Sequence, residues 1–187
     1  SDVCSSDLNT LTNNNSGGLT IGGLNLSVTA SGRTMTLTGS GNTTITGTIA
    51  NGPSATTGGL TINSTGLTTL SGSNSYSGDT TITSGTVVLS GTNSGSGSVI
   101  LSATSSVFKI GRTDSLVNGN LAGASSSSAT GLVDLTGGGN YSITSLGNSS
   151  ANARNLNFTN SSGLATTLTF TASTNIISSG ANGSSTL

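Results

Sequence analysis

The stretch Gly66–Gly91, GLTTLSGSNSYSGDTTITSGTVVLSG, limits this chain to a narrow set of folds. Two short runs, Thr68–Leu70 and Thr80–Ile82, flank the polar corner Gly72–Gly78, and a third, Thr86–Leu89, follows Ser84-Gly85. Apolar and polar residues alternate with period 2 inside the runs, and Gly, Asn and Ser fill the gaps. That is the pattern of short strands joined by turns. Helical spacing and helix-capping boxes are missing. The beat continues through Leu24–Val28, Thr34–Thr38, Thr43–Ile49, Leu60–Ile62, Leu67–Leu70, Thr80–Thr83, Ser98–Leu101 and Val107–Ile110. It resumes at Leu132–Leu135, Tyr141–Leu146, Leu156–Thr159, Thr166–Phe170 and Asn175–Ile177. Asn9–Gly23 is looser, with a turn cluster over Asn13–Gly18.

Composition narrows the choice. Hydrophobic residues make up 30% of the chain and charged residues 5%. A disordered chain is low in the first but high in the second. Here both are low, which suits one aliphatic stripe per strand, buried strand against strand in a stacked coil. A sandwich would show longer strands and tight hairpins; the one Asn51-Gly52 candidate is followed by Pro53 and suits a loop. Thr36–Gly47 also resembles Thr69–Tyr76: both run Thr-Leu-Thr/Ser-Gly-Ser, then reach Asn, and internal repetition of this size marks a solenoid. The expected fold is all-β, a right-handed single-stranded parallel β-helix over 9–187, forming part of a longer array. At about 20 residues per turn it would make roughly eight or nine rungs, some 40 Å long.

Residues 1–8, Ser-Asp-Val-Cys-Ser-Ser-Asp-Leu, do not share this beat. They read as the in-frame translation of a common sequencing adapter, in which case Cys4 carries no redox or catalytic message. The chain begins without Met, and an export signal is expected in a part of the protein outside this sequence.

From Ile45 to Leu101 the residues resemble a known family. Ile45-Thr46-Gly47-Thr48-Ile49, Gly58-Gly59-Leu60-Thr61, Leu70–Gly78, Thr80–Leu89 and Gly95–Leu101 follow in order the autotransporter-associated β-strand repeat of bacterial passenger domains. Segments within Gly131–Thr171 resemble the linking segments between such repeats more weakly. Ile62–Gly66 departs from the pattern. The resemblance implies a β-helical stalk in a secreted or surface-displayed protein, with an outer-membrane translocation barrel elsewhere in the full-length chain. Surface glycans or host proteins are the partners it suggests. Within the repeat, Gly72, Gly78 and Gly85 are expected as turn residues, Asn74 and Asn42 as left-handed corners with stacked amides, and Tyr76 as a packed corner.

An enzyme is disfavoured. The chain has no His, which removes Ser/His/Asp and Cys/His arrangements. No metal or cofactor site is expected, because zinc and haem ligands are lacking, Gly137-Gly138-Gly139 is not followed by Lys-Ser/Thr, and the calcium repeat is absent. Beyond residues 1–8 the acids are Asp79, Asp114 and Asp134. Asp114 and Asp134 stand 20 residues apart, near one turn, so they could stack as the carboxylate pair of a carbohydrate-active β-helix. Lys109, Arg112 and Asp114 form the densest charge and read first as local ion pairing, second as a glycan contact. Thr34-x-Thr36-x-Thr38 and Thr44-x-Thr46-x-Thr48 would place rows of Thr on a strand face, as an ice-binding solenoid would, although Thr also simply favours strands. A net charge of -1 gives no field to attract nucleic acid.

Overall fold

The computed structural model describes residues 10–27, 31–115, 120–123, 130–146 and 155–171. Residues 1–8 and the strand expected at Asn175–Ile177 lie outside them. The described residues form strands and turns with no helix, and every strand pairing is parallel: the chain is a β-solenoid of about 6 turns.

The chain winds through three faces. The first rung holds β1 (Thr10–Thr12), β2 (Leu19–Ile21) and β3 (Leu24–Asn25); the second holds β4 (Arg33–Gly39), β5 (Thr43–Ile45) and β6 (Ile49–Ala50). In the third, β7 (Gly58–Leu70) serves the first two faces and β8 (Ser73–Asn74) the last. β9 (Thr80–Leu89) and β10 (Thr92–Asn93) repeat that arrangement. β11 (Val99–Leu101) and β12 (Val107–Ile110) form the fifth rung; β13 (Asn120–Gly123), β14 (Thr130–Leu135) and β15 (Gly139–Ile143) the sixth. β16 (Ser145–Leu146), β17 (Asn155–Thr159) and β18 (Thr166–Phe170) complete the series.

Strand alternation explains the core. On the first face Leu37, Ile62, Ile82 and Leu101 stack inward in register; on the second Ile45, Leu70, Leu89, Ile110 and Leu135 do the same. Their outward neighbours are Thr36, Thr61 and Thr81 on one face and Thr44, Thr69 and Val88 on the other. A second inward column on the first face, Met35, Leu60, Thr80, Val99 and Leu121, is buried too, and each rung covers the next.

Hydroxyl residues close the strand ends. Thr46 follows Ile45 and donates both its N–H (2.9 Å) and its hydroxyl (3.1 Å) to the Ile21 carbonyl, one rung back. Ser71 treats Ile45 in the same way (2.9 and 3.2 Å), Ser102 treats Ile82 (2.8 and 3.2 Å), and Thr136 treats Ile110 (3.0 and 3.2 Å). Each of these carbonyls accepts at least two bonds where the backbone turns away. The high Ser and Thr content is therefore partly structural.

Three expectations are corrected. The uniform 20-residue turn, with its eight or nine rungs, gives way to about 6 turns of unequal length among the described residues. Thr36 pairs with Thr61, 25 residues on, whereas Thr61 pairs with Thr81, 20 on, and Thr80 with Val99, 19 on. The similarity of Thr36–Gly47 to Thr69–Tyr76 does not reflect spatial equivalence, since Leu37 sits on Ile62 and Ile45 on Leu70. The corner Gly72–Gly78 contains a strand, because Ser73 and Asn74 pair with Thr92 and Asn93 as the third face. The departure at Ile62–Gly66 coincides with a register shift between β7 and β9.

Candidate functional site

Among the described residues no side-chain-bearing residue has a positive φ, so neither Asn74 nor Asn42 is left-handed. Asn74 lies buried above Asn93 in register, but their amides do not bond each other. Asn74 Oδ1 accepts the Ile49 N–H (3.1 Å) and its Nδ2 has no partner, while Asn93 Oδ1 accepts the Gly95 N–H (3.2 Å). Asn42 Oδ1 accepts the Leu67 N–H (2.9 Å), 25 residues on. Asn51 does likewise for Ser77 (2.8 Å), and Asp79 for Ser98 (2.8 Å). These side chains carry the ladder round corners where backbone pairing lapses.

Gly85 does need its left-handed φ of 74°. Gly72 and Gly78 have ordinary φ, and their lack of a side chain answers a different demand. Gly22, Gly47, Gly72 and Gly91 form a column, one per rung, in which a Cβ on each later member would run into the carbonyl of the one before. A Cβ on Gly78 would strike Gly58 in the same way.

Tyr76 is 1% exposed, with its hydroxyl 2.6 Å from Thr80 Oγ1. Burial pushes its phenol up to about 12, against a smaller opposing effect of that hydrogen bond. Tyr141, which the sequence did not single out, is a second buried tyrosine, three rungs on. Its buried hydroxyl accepts the Gly137 N–H (2.8 Å) and donates to the Ile110 carbonyl (3.2 Å). A tyrosine surrounded by Gly and Ser was the available signal.

Lys109, Arg112, Asp114 and Asp134 separate into two pairs. Arg112 and Asp114 form a forked pair, Nε to Oδ1 at 2.8 Å and Nη2 to Oδ2 at 2.7 Å. Both are open to solvent, and each holds the other charged: the hydrogen bond from Arg112 is the largest influence lowering the Asp114 carboxyl. Such a surface pair adds little to stability. Lys109 instead sits in register with Asp134, Nζ to Oδ2 at 3.6 Å. The expected stacking of Asp114 with Asp134 is thus replaced by Lys109 beneath Asp134, and the register supplies no carboxylate pair.

Asp134 is the most enclosed of these four, with its side chain only 7% exposed. Ser161 donates its N–H (3.0 Å) to Oδ1 and its hydroxyl (2.8 Å) to Oδ2. Burial pushes the carboxyl up, but the Ser161 bonds, Thr159 and the Lys109 charge together outweigh it and hold it below its ordinary range. The folded state therefore holds this proton less tightly than the unfolded chain. The stability so gained is complete above about pH 4 and is lost as pH falls through the lowered folded value. Asp134→Asn is expected to lower the urea midpoint near about pH 7 and to flatten its decline toward about pH 2. An unchanged acid sensitivity in the variant would mean that Asp134 does not tie the last rungs together.

Among the described residues no group of three or more His, Cys, Asp or Glu could hold a metal ion. No helix there is long and apolar enough to cross a membrane. No family model matches the chain, and neither a curated protein nor a solved structure matches it.

Proposed function

We propose that this chain is a stalk segment of a secreted or surface-displayed bacterial passenger of the autotransporter type, a spacer that carries other regions away from the cell. The observation that supports this most is the continuity of the ladder. One sheet runs from β1 through β4, β7, β9, β11 and β13 to β16, with the second-face strands joined to it. Extension along such an axis loads many parallel backbone bonds together, and length grows by about 4.8 Å per added turn. The ordered match of Ile45–Leu101 to the passenger repeat supports the exported setting. A glycan contact at Lys109, Arg112 and Asp114 finds less support. These charges are spent on one another or on Asp134, and Tyr76, Phe108 and Tyr141 are buried where no sugar ring could stack on them.

The test is antibody labelling of the producing cells. Antibodies raised against the folded chain are expected to stain intact cells or to recover the protein from the culture fluid. Staining that required permeabilisation would overturn the reading.

A further inference from the structure

The asparagines divide by what their amide nitrogens do. Asn13 is buried and its Nδ2 donates to the Asn42 carbonyl (2.8 Å) and Thr43 Oγ1 (3.1 Å). Asn51 Nδ2 donates to the Thr56 carbonyl (3.2 Å) and Ser77 Oγ (2.9 Å). Asn14, Asn42 and Asn63 are different. They are exposed, they lie at or beside the corner between the first and second faces on three successive rungs, and their Nδ2 atoms make no hydrogen bond among the described residues.

Each of the three has a hydroxyl residue two positions on: Ser16, Thr44 and Thr65, with no Pro between. Asn-x-Ser/Thr is the acceptor pattern for N-linked sugar. Asn13, Asn51, Asn74 and Asn93 lack it. Alternation accounts for part of this division, since an outward Asn on a strand is followed two residues later by another outward, polar side chain. Asn25, Asn140 and Asn157 share the spacing, but they stand on regular strands whose backbone is held in the ladder. Asn14 and Asn42 stand in the gaps between strands, and Asn63, inside β7 and in register with Thr38, stands where the pairing of β7 with β9 shifts register.

The carbonyl ends of the same three amides are engaged. Asn14 Oδ1 accepts the Ser40 N–H (3.1 Å), Asn42 Oδ1 the Leu67 N–H (2.9 Å), and Asn63 Oδ1 the Ser84 hydroxyl (3.2 Å). A sugar joined to Nδ2 replaces one hydrogen and leaves the carbonyl in place, so modification is compatible with all three contacts. We infer that Asn14, Asn42 and Asn63 form a row of acceptor sites for N-linked glycosylation from a nucleotide-activated sugar. In the transfer Nδ2 attacks the anomeric carbon, an N–C bond forms, and the bond from that carbon to the nucleotide's phosphate oxygen breaks. The nucleotide diphosphate leaves and the transferase takes the amide proton.

The experiment treats the folded chain with a purified sequon-specific N-glucosyltransferase and UDP-glucose, followed by intact mass and peptide mapping. One hexose is expected at each of Asn14, Asn42 and Asn63, with an unchanged melting curve. Asn160 is exposed and has the same spacing, but its Nδ2 donates to the Leu164 carbonyl (2.7 Å), so it is expected to be spared. Thr44→Val should remove the hexose at Asn42 alone. It keeps the fold because Val88 already stands in the column of Thr44 and Thr69. The inference is overturned if the folded chain gains no hexose while the same enzyme modifies a peptide of residues 39–46, or if hexose is added only after unfolding.

Discussion

Gly72→Ala is expected to destabilise the coil by about 3 kcal/mol or more, near the upper end of what overpacking does. The added Cβ would run into the Gly47 carbonyl directly beneath, and backbone cannot rotate away as a flexible side chain would. Relief requires the two rungs to part, which strains neighbouring ladder bonds such as Thr92 N–H to the Gly72 carbonyl (3.2 Å). In a chain of this size the melting temperature should fall by roughly 6–12 °C. Gly22 provides the control. It heads the same column with ordinary φ, yet a Cβ there would meet nothing within 4 Å. Gly22→Ala is expected to stay within about 0.5 kcal/mol of the parent. Circular dichroism melts of the pair decide the matter; equal losses would show that glycine is needed at this corner for conformation and not for closeness.

The second large effect is Ile62→Ala. Ile62 is fully buried, stacked between Leu37 and Ile82 on the first face. Removing its branched side chain forfeits transfer energy and leaves a gap that paired backbones on either side cannot close. The expected cost is about 3 to 4 kcal/mol. Leu67 lies in the same strand and is 39% exposed. Leu67→Ala should fall within about 0.5 kcal/mol of the parent. Chemical denaturation of both variants measures the contrast. A cost at Ile62 no larger than at Leu67 would argue against a core made of stacked columns.

Much of this architecture can be read in the residues, for identifiable reasons. Thr34–Thr38, Val107–Ile110 and Thr166–Phe170 alternate over four or five residues, enough to reveal a period of 2, and strands are found at each. Ser73-Asn74 and Thr92-Asn93 are two residues long and cannot display a period, so the third face was hidden inside an apparent corner. Register was hidden for another reason. The second and third rungs offer Thr outward and Leu or Ile inward on both faces, so Thr36 matches Thr69 in sequence nearly as well as it matches its true partner Thr61. The expected turn of about 20 residues holds for the middle turns, Thr61 to Thr81 and Thr80 to Val99, and misses the longer ones. At the charged cluster, Arg112 and Asp114 were legible because their pairing is local. The hold of Ser161 on Asp134 spans 27 residues and depends on a register no short pattern encodes. Gly72 was expected as a turn residue; its spacing of 25 from Gly47 and 19 from Gly91 along the chain acquires meaning only once the rungs are stacked.

Unequal turns on a continuous ladder have a consequence for how such a protein can change. Between Ile49 and Leu60 the second rung takes eleven residues to pass from its third face to the next first face; Asn74 to Thr80 manages it in six. The aliphatic columns stay aligned across that difference. Girth and alignment are therefore governed separately: the faces keep the columns true, and the corner at 51–57 absorbs the extra length. A chain built this way can acquire or lose a side loop at that corner while the shaft above and below keeps its line, so lateral decoration and axial reach can vary independently.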